Sequence, residues 1–301
     1  MPWLIAACLL WGPSFGLVPI LIGTYGMNPY LLSFLRMGFS LILFVPLMGM
    51  GNLPNLRKLH LALLGGVQFG VMYLTLLVSY KFMAGYEVAL VTIFTPLYVS
   101  LLDQLFCKGH LKMRSLFCVL LAILGAGVIR YARPDLDGGF WIGFGIMQLC
   151  NLSFALGQVL YRRMMTATEK FDDMYTFGWM YLGALIVTLI GWILLAPVPE
   201  TLHHLQQLPL SAWAIILWLG LIPSGLAFFL FNHGSLHVDT GTLAIINNLK
   251  IPIALVIVLL LFQQQEIINS WIRFLSGTLI MLTALWLNQR PSPRKKSSTA
   301  S

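Results

Sequence analysis

Long apolar stretches separated by short polar breaks run from one end of the chain to the other. A helix needs about 20 apolar residues to cross ~30 Å of hydrocarbon. The pattern predicts ten such helices, over residues 3–22, 29–48, 59–80, 84–106, 114–131, 139–161, 175–196, 210–232, 240–262 and 270–288. Soluble cores do not repeat such runs from end to end. The expected fold is an all-α membrane protein, embedded in the lipid bilayer, with no room for a separate soluble domain among its 301 residues.

Composition supports this reading. Hydrophobic residues make up 58% of the chain and charged residues 9%, against about 25% charge in soluble domains. The net charge of +8 would suit a nucleic-acid partner, but its distribution argues against one. With the N-terminus on the cytoplasmic side, the inner loops and tail hold twelve basic residues: Arg57, Lys58, Lys108, Lys112, Arg114, Arg162, Arg163, Lys170, Arg290, Arg294, Lys295 and Lys296. The outer side holds three, Arg130, Arg133 and Arg273. Positive charge concentrates on the cytoplasmic side of membrane proteins, so both termini are expected there, in a multi-pass inner-membrane protein. The cysteines Cys8, Cys107, Cys118 and Cys150 are scattered in or beside apolar spans. They form no C-x-x-C, so disulfides and metal sites are not expected, and neither is a cofactor.

The two halves of the chain resemble each other. A shift of 156 positions places Pro96 on Pro252, Gly85 on Gly241, Lys81 on His237 and His110 on Glu266. Each half has five expected helices, an odd number, so the second copy enters the membrane from the opposite side. The expected units are two inverted five-helix repeats, 1–133 and 138–289, followed by a basic cytoplasmic tail, 290–301. Inverted repeats of this kind are the architecture of alternating-access transporters, with the substrate near the midplane.

Short motifs carry a family resemblance. The chain opens with Leu10-Trp11-Gly12-Pro13-Ser14-Phe15, continues with Asn28-Pro29 and Phe34-Leu35-Arg36, and then has Ser79-Tyr80-Lys81 and Thr95-Pro96-Leu97. The second half has Ser153-Phe154-Ala155, Tyr161-Arg162-Arg163, Ser235-Leu236-His237 and Ile251-Pro252. In this order, over roughly residues 3–288, the motifs resemble the EamA-type transporters of the drug/metabolite transporter superfamily. The resemblance implies secondary transport of small metabolites, often amino-acid export. The chain departs from the family pattern at His110, where an acidic residue is expected, and at the polar Asn247, Asn248 and Lys250.

Those polar residues are the sharpest candidates for a substrate site. Lys250 lies about ten residues into its span, at a depth of about 15 Å, where a lysine normally faces a cavity or a partner. Asn247 shares its helix face, and Pro252 frees a nearby carbonyl. Arg36 is a second intramembrane cation, read either as an anion contact or as a structural residue. Asn151, Gln158 and Tyr161 follow one another along the span over 139–161, and Asn151 and Gln158 share a face. Such a face lines a cavity or bonds neighbouring helices. Trp11, Tyr73 and Tyr80 are candidate aromatic walls. Glu87 and Lys81 flank one outer turn and are a candidate gate or coupling pair. Asn232 and His233 read as cap residues more readily than as cavity residues.

Enzyme motifs fail. Gly12-Pro13-Ser14-Phe15-Gly16 fits a nucleophile-elbow pattern, but that elbow needs a strand, a sharp turn and a helix, and here it sits inside an apolar span. His203-His204 lies in a connecting loop with no metal-binding spacing. The expectation is a transporter, monomeric or weakly dimeric, for a small polar metabolite. An amino acid or related carboxylate is favoured, with efflux as the direction. A phosphorylated or nucleotide-linked sugar, or a lipid-linked substrate, is the alternative.

Overall fold

The computed structural model describes residues 1–108, 139–166, 172–238 and 271–289, with scattered helical positions within 113–128 and 242–254. All regular structure among the described residues is helical. Seven helices are long and apolar enough to cross a membrane: α1 (Pro2–Thr24), α2 (Pro29–Leu47), α3 (Asn55–Ser79), α4 (Gly85–Phe106), α5 (Gly139–Thr166), α6 (Asp173–Leu195) and, after the short α7 (Val198–Gln206), α8 (Leu210–Ser235). A further helix, α9 (Trp271–Gln289), covers the last expected span. The spans expected over 114–131 and 240–262, and the tail 290–301, lie wholly or largely outside the described residues.

Local chemistry sets the helix ends. Asn28 accepts the N–H groups of Tyr30 (2.9 Å) and Leu31 (3.3 Å), which caps α2 just before Pro29 at a position that needs no donor. Gly26, at φ 63°, makes the left-handed turn between α1 and α2, where a Cβ would be strained. The sequence predicts a connecting loop around His203-His204, between the spans that end at 196 and begin at 210; α7 occupies Val198–Gln206 of it. The helix is begun by Pro199 near its first turn and pinned by a bond from Trp192 Nε1 to Thr201 Oγ1 at 2.9 Å.

Four spans are not continuous α-helices. α1 ends in a wide π turn over Ile20–Thr24, α3 contains one over Gly66–Val71, and α8 one over Gly220–Leu226 around Pro223. α4 breaks at Thr92–Ile93, ahead of Pro96. A proline cannot donate its backbone bond, and a freed carbonyl in lipid has no water to turn to. Neighbouring helices supply the donors. Trp11 Nε1 donates to Pro223 O (3.0 Å), Ser40 Oγ to Gly220 O (2.9 Å), and Asn151 Nδ2 to Val91 O (2.9 Å).

Side-chain placement inverts that of a soluble protein. Leu63, Leu149, Ile186, Ile190 and Leu279 point outward, while Arg36, Gln68, Glu87, Asn151, Asn232 and Lys250 are buried. Small residues bring the helices together, as expected where lipid offers no hydrophobic drive. α6 lies against α2 and α3. A methyl added at Gly65 would run into the Met180 backbone, and one at Gly183 into the Ala62 carbonyl. Gly66 and Gly70 face Val187 of α6, and Gly143 faces Phe82 and Met83.

Candidate functional site

The helix interruptions surround one cavity of about 70 Å³, walled mainly by apolar and aromatic side chains. Trp11, Ser14, Phe15 and Val18 come from α1, Arg36 from α2, Tyr73 from α3, Thr92 and Thr95 from the α4 break, Asn151 and Phe154 from α5, and Phe228 from α8. Tyr80, just past α3, and Lys250 complete the wall.

Arg36 is 2% exposed. Its Nε donates to Ser224 Oγ at 2.8 Å, its Nη2 donates to the Tyr73 hydroxyl at 3.1 Å, and its guanidinium carbon stands 4.6 Å from the Tyr73 ring centre. Nη1 has no protein partner among the described residues. The anchor is itself held: Ser224 Oγ donates to Leu219 O at 2.8 Å, and the single O–H of Tyr181 is shared between Ser224 O and Gly225 O. These contacts exist because the π turn of α8 exposes its carbonyls toward α2 and α6.

Lys250 is also buried. Its Nζ donates to Asn247 Oδ1 at 3.1 Å and stands 5.5 Å from the Trp11 ring centre. Among the described residues this single hydrogen bond leaves two of the three donor directions of an ammonium open. No carboxylate lies among the described residues that line the cavity. Ser14 Oγ is buried there without a partner. Asn151 serves the wall and the fold together: it fills the Val91 carbonyl and accepts the Thr95 hydroxyl at 2.9 Å.

The structure therefore gathers Lys250, Arg36, Trp11, Tyr73, Tyr80 and Asn151 around one space. Asn247 stands behind Lys250 as its hydrogen-bond partner. The remaining candidates are elsewhere. Asn248 is buried with both amide atoms unpartnered. Gln158 lies one helical turn beyond Phe154, and Tyr161 meets Phe177 edge-on with ring centres 5.8 Å apart. Glu87 is buried at the start of α4, where its Oε2 accepts the Ala84 N–H at 2.8 Å. Lys81 stands 5.9 Å from the Tyr30 ring centre and lines a separate cleft with Asn28, Glu200 and His204. Asn232 bonds to Gln68, and His233 Nδ1 lies 2.7 Å from Asp173 Oδ2. Neither lines the cavity.

Sequence reasoning missed Ser224, Tyr181, Thr92, Phe154 and Phe228. Pro223, beside Ser224 in a Gly- and Pro-rich stretch of an apolar span, was the available signal for the first two. Prolines inside such spans mark broken helices, and broken helices mark sites.

A multi-pass helical bundle with buried cations facing an internal aromatic cavity belongs to the class of membrane carriers. The comparisons place it within that class. The model of the "EamA-like transporter family" matches residues 1–131. The chain is 34% identical to the "Biotin transporter" of Escherichia coli K12 over 303 aligned positions, covering 100% of this chain and 96% of that one. It is 33% identical to the "Biotin transporter" of Salmonella typhimurium with the same coverage. A "Probable biotin transporter" of Pseudomonas aeruginosa is 32% identical, covering 96% and 97%. A solved crystal structure superposes with a TM-score of 0.62 at 18% identity, covering 95% of this chain and 97% of the other, and so shares the fold. The chain belongs to the EamA-like transporter family. It is a membrane transporter and not an enzyme.

Proposed function

We propose that this protein carries biotin, or a closely similar carboxylate, across the cell inner membrane by alternating access. One observation carries the reading: Arg36 and Lys250 both present spare N–H groups to one buried aromatic cavity, and no carboxylate lines it among the described residues. Buried cations without a partner are costly, and a substrate carboxylate supplies the missing charge. Biotin has a carboxylate on an aliphatic arm and a flat ureido ring. The arm and ring suit walls made of Trp11, Phe15, Tyr73, Phe154 and Phe228. The names of the relatives support the same choice.

In this reading the chain has ten helices in two inverted repeats, 1–133 and 138–289, with both termini and the 290–301 tail in the cytoplasm. Twelve basic residues against three support that orientation. It acts as a monomer or weak homodimer.

The test is counterflow of labelled biotin in proteoliposomes, which reports movement in either direction. Unlabelled biotin should compete and biotin amide, which lacks the charge, should not. Equal competition by the amide would remove the carboxylate from the argument. An amino acid is the second reading, supported by the same two cations. Saturable counterflow of an amino acid without biotin movement would select it.

A further inference from the structure

One helical turn past the cavity, toward the end that carries Arg57, Arg162 and Arg163, each of three helices buries an uncharged amide side chain. Gln68 of α3 precedes the cavity residue Met72 by four positions. Gln158 of α5 follows Phe154 by four, and Asn232 of α8 follows Phe228 by four. All three are at most 2% exposed. Gln68 Nε2 donates to Asn232 Oδ1 at 3.1 Å. A methyl on Gly157 would press into the Gln68 side chain, so α5 touches α3 at this level. Gln68 Oε1, Asn232 Nδ2 and Gln158 Nε2 have no hydrogen-bond partner among the described residues.

A buried amide atom without a partner gives up its solvation for nothing in return, and native proteins seldom keep one without a reason. Three at one level, from three helices, are not explained by packing, for which leucine or methionine has the right size. What separates them from the cavity is aromatic. The Phe154 and Phe228 ring centres are 5.6 Å apart, and those of Phe69 and Phe228 are 5.3 Å apart.

We propose that Gln68, Gln158 and Asn232 form the second half of the substrate path, buried in this structure beneath a floor of Phe69, Phe154 and Phe228. When the floor parts, water and the neutral hydrogen-bonding groups of the passing solute satisfy the open amides. The layer holds no full charge of its own, so it passes the carboxylate on without trapping it. The proposal rests on the transport reading above, but not on the identity of the solute.

The decisive variant is Gln68→Leu/Asn232→Leu, which replaces both bonded partners by apolar groups of similar size. A merely structural amide pair would keep the turnover of the folded protein whatever the change in melting temperature, since replacing both partners by apolar groups of similar shape is near neutral or stabilising. A path should lose ~10-fold or more in counterflow with the melting temperature unchanged or raised, while equilibrium binding of biotin stays within about twofold. Wild-type counterflow in the folded double variant would overturn the proposal. If the variant fails to fold, Asn232→Cys answers the same question by its reaction with an impermeant maleimide, set against Ala184→Cys in the α6 packing face as a buried control. Labelling at 232 well above that control supports a hydrated path, and labelling equal to it overturns one. If wild type binds no biotin, the cavity reading fails while the labelling result still decides the path.

Discussion

Two cations face the same cavity, and they are held in different ways. Arg36 is clamped. Ser224 takes Nε, the Tyr73 hydroxyl takes Nη2, the Tyr73 ring lies against the guanidinium, and Tyr181 secures the clamp from behind. Lys250 hangs on one bond, from Asn247 of its own helix, beside the face of Trp11. A planar fork with fixed partners is preorganised, whereas an ammonium on a four-carbon stem is adjustable. In the proposed reading the contrast divides the work: Arg36 is part of the fold and offers one remaining nitrogen, while Lys250 follows the charge of a bound solute.

Substitutions sharpen that contrast. Lys250→Ala is expected to have the largest effect on transport. Removing one partner of a buried charge pair costs about 2–5 kcal/mol, so biotin counterflow should fall ~30-fold or more while the melting temperature holds. A variant that transports as wild type would shift the charge-binding role to Arg36. Arg36→Lys keeps the charge but loses the fork. It should lower the melting temperature as well as transport, because Ser224 and Tyr73 lose a buried donor at about 1–3 kcal/mol each. A change in transport alone would show that the clamp carries no stability. Asn247→Ala releases Lys250 from its tether. At about 1 kcal/mol for one hydrogen bond, the solute affinity should drop ~5-fold, and isothermal titration would detect it. Trp11→Phe is the smallest change: it keeps an aromatic face for Lys250 and removes the donor to Pro223 O. A loss of about 1 kcal/mol in stability with near-normal transport is expected in a thermal melt.

Much of this site was legible in the sequence because the relevant contacts are local or the residues are out of place in lipid. Asn247 and Lys250 are three apart on one helix, so their bond follows from helical geometry. Arg36, Asn151 and Lys250 stood out as polar groups inside apolar runs. The clamp on Arg36 was not legible, since Ser224 lies 188 positions away and no local pattern joins the two. The amide layer was only half legible. Gln158 was seen as polar on a shared face, but whether that face meets water, a neighbour or nothing depends on α3 and α8. The fold shows the same division. Hydropathy located the seven crossing helices to within a few residues at most ends. The nine-residue α7 was missed because it is too short for a membrane signal. The π turn of α3 has no proline to announce it, unlike that of α8.

The two π turns within spans, Gly66–Val71 and Gly220–Leu226, have a consequence at the level of the gene. Each is a place where the helix carries a residue beyond what α-geometry needs, and everything after it is phased accordingly. An in-frame loss of one codon there would let the chain close into an ordinary helix. Because the wider turn absorbs the extra residue, the downstream side chains would keep their facing, whereas a codon lost from the regular helix before or after it would swing them by about 100°, one residue's share of a 3.6-residue turn. Such a loss ahead of Tyr73 in α3 would turn it away from Arg36, and one ahead of Phe228 in α8 would turn Phe228 out of the cavity and Asn232 away from Gln68. The spans would remain hydrophobic and would insert as before. A codon-deletion scan along each span would therefore show protein that reaches the membrane and moves nothing, with the mildest loss in the window of the π turn.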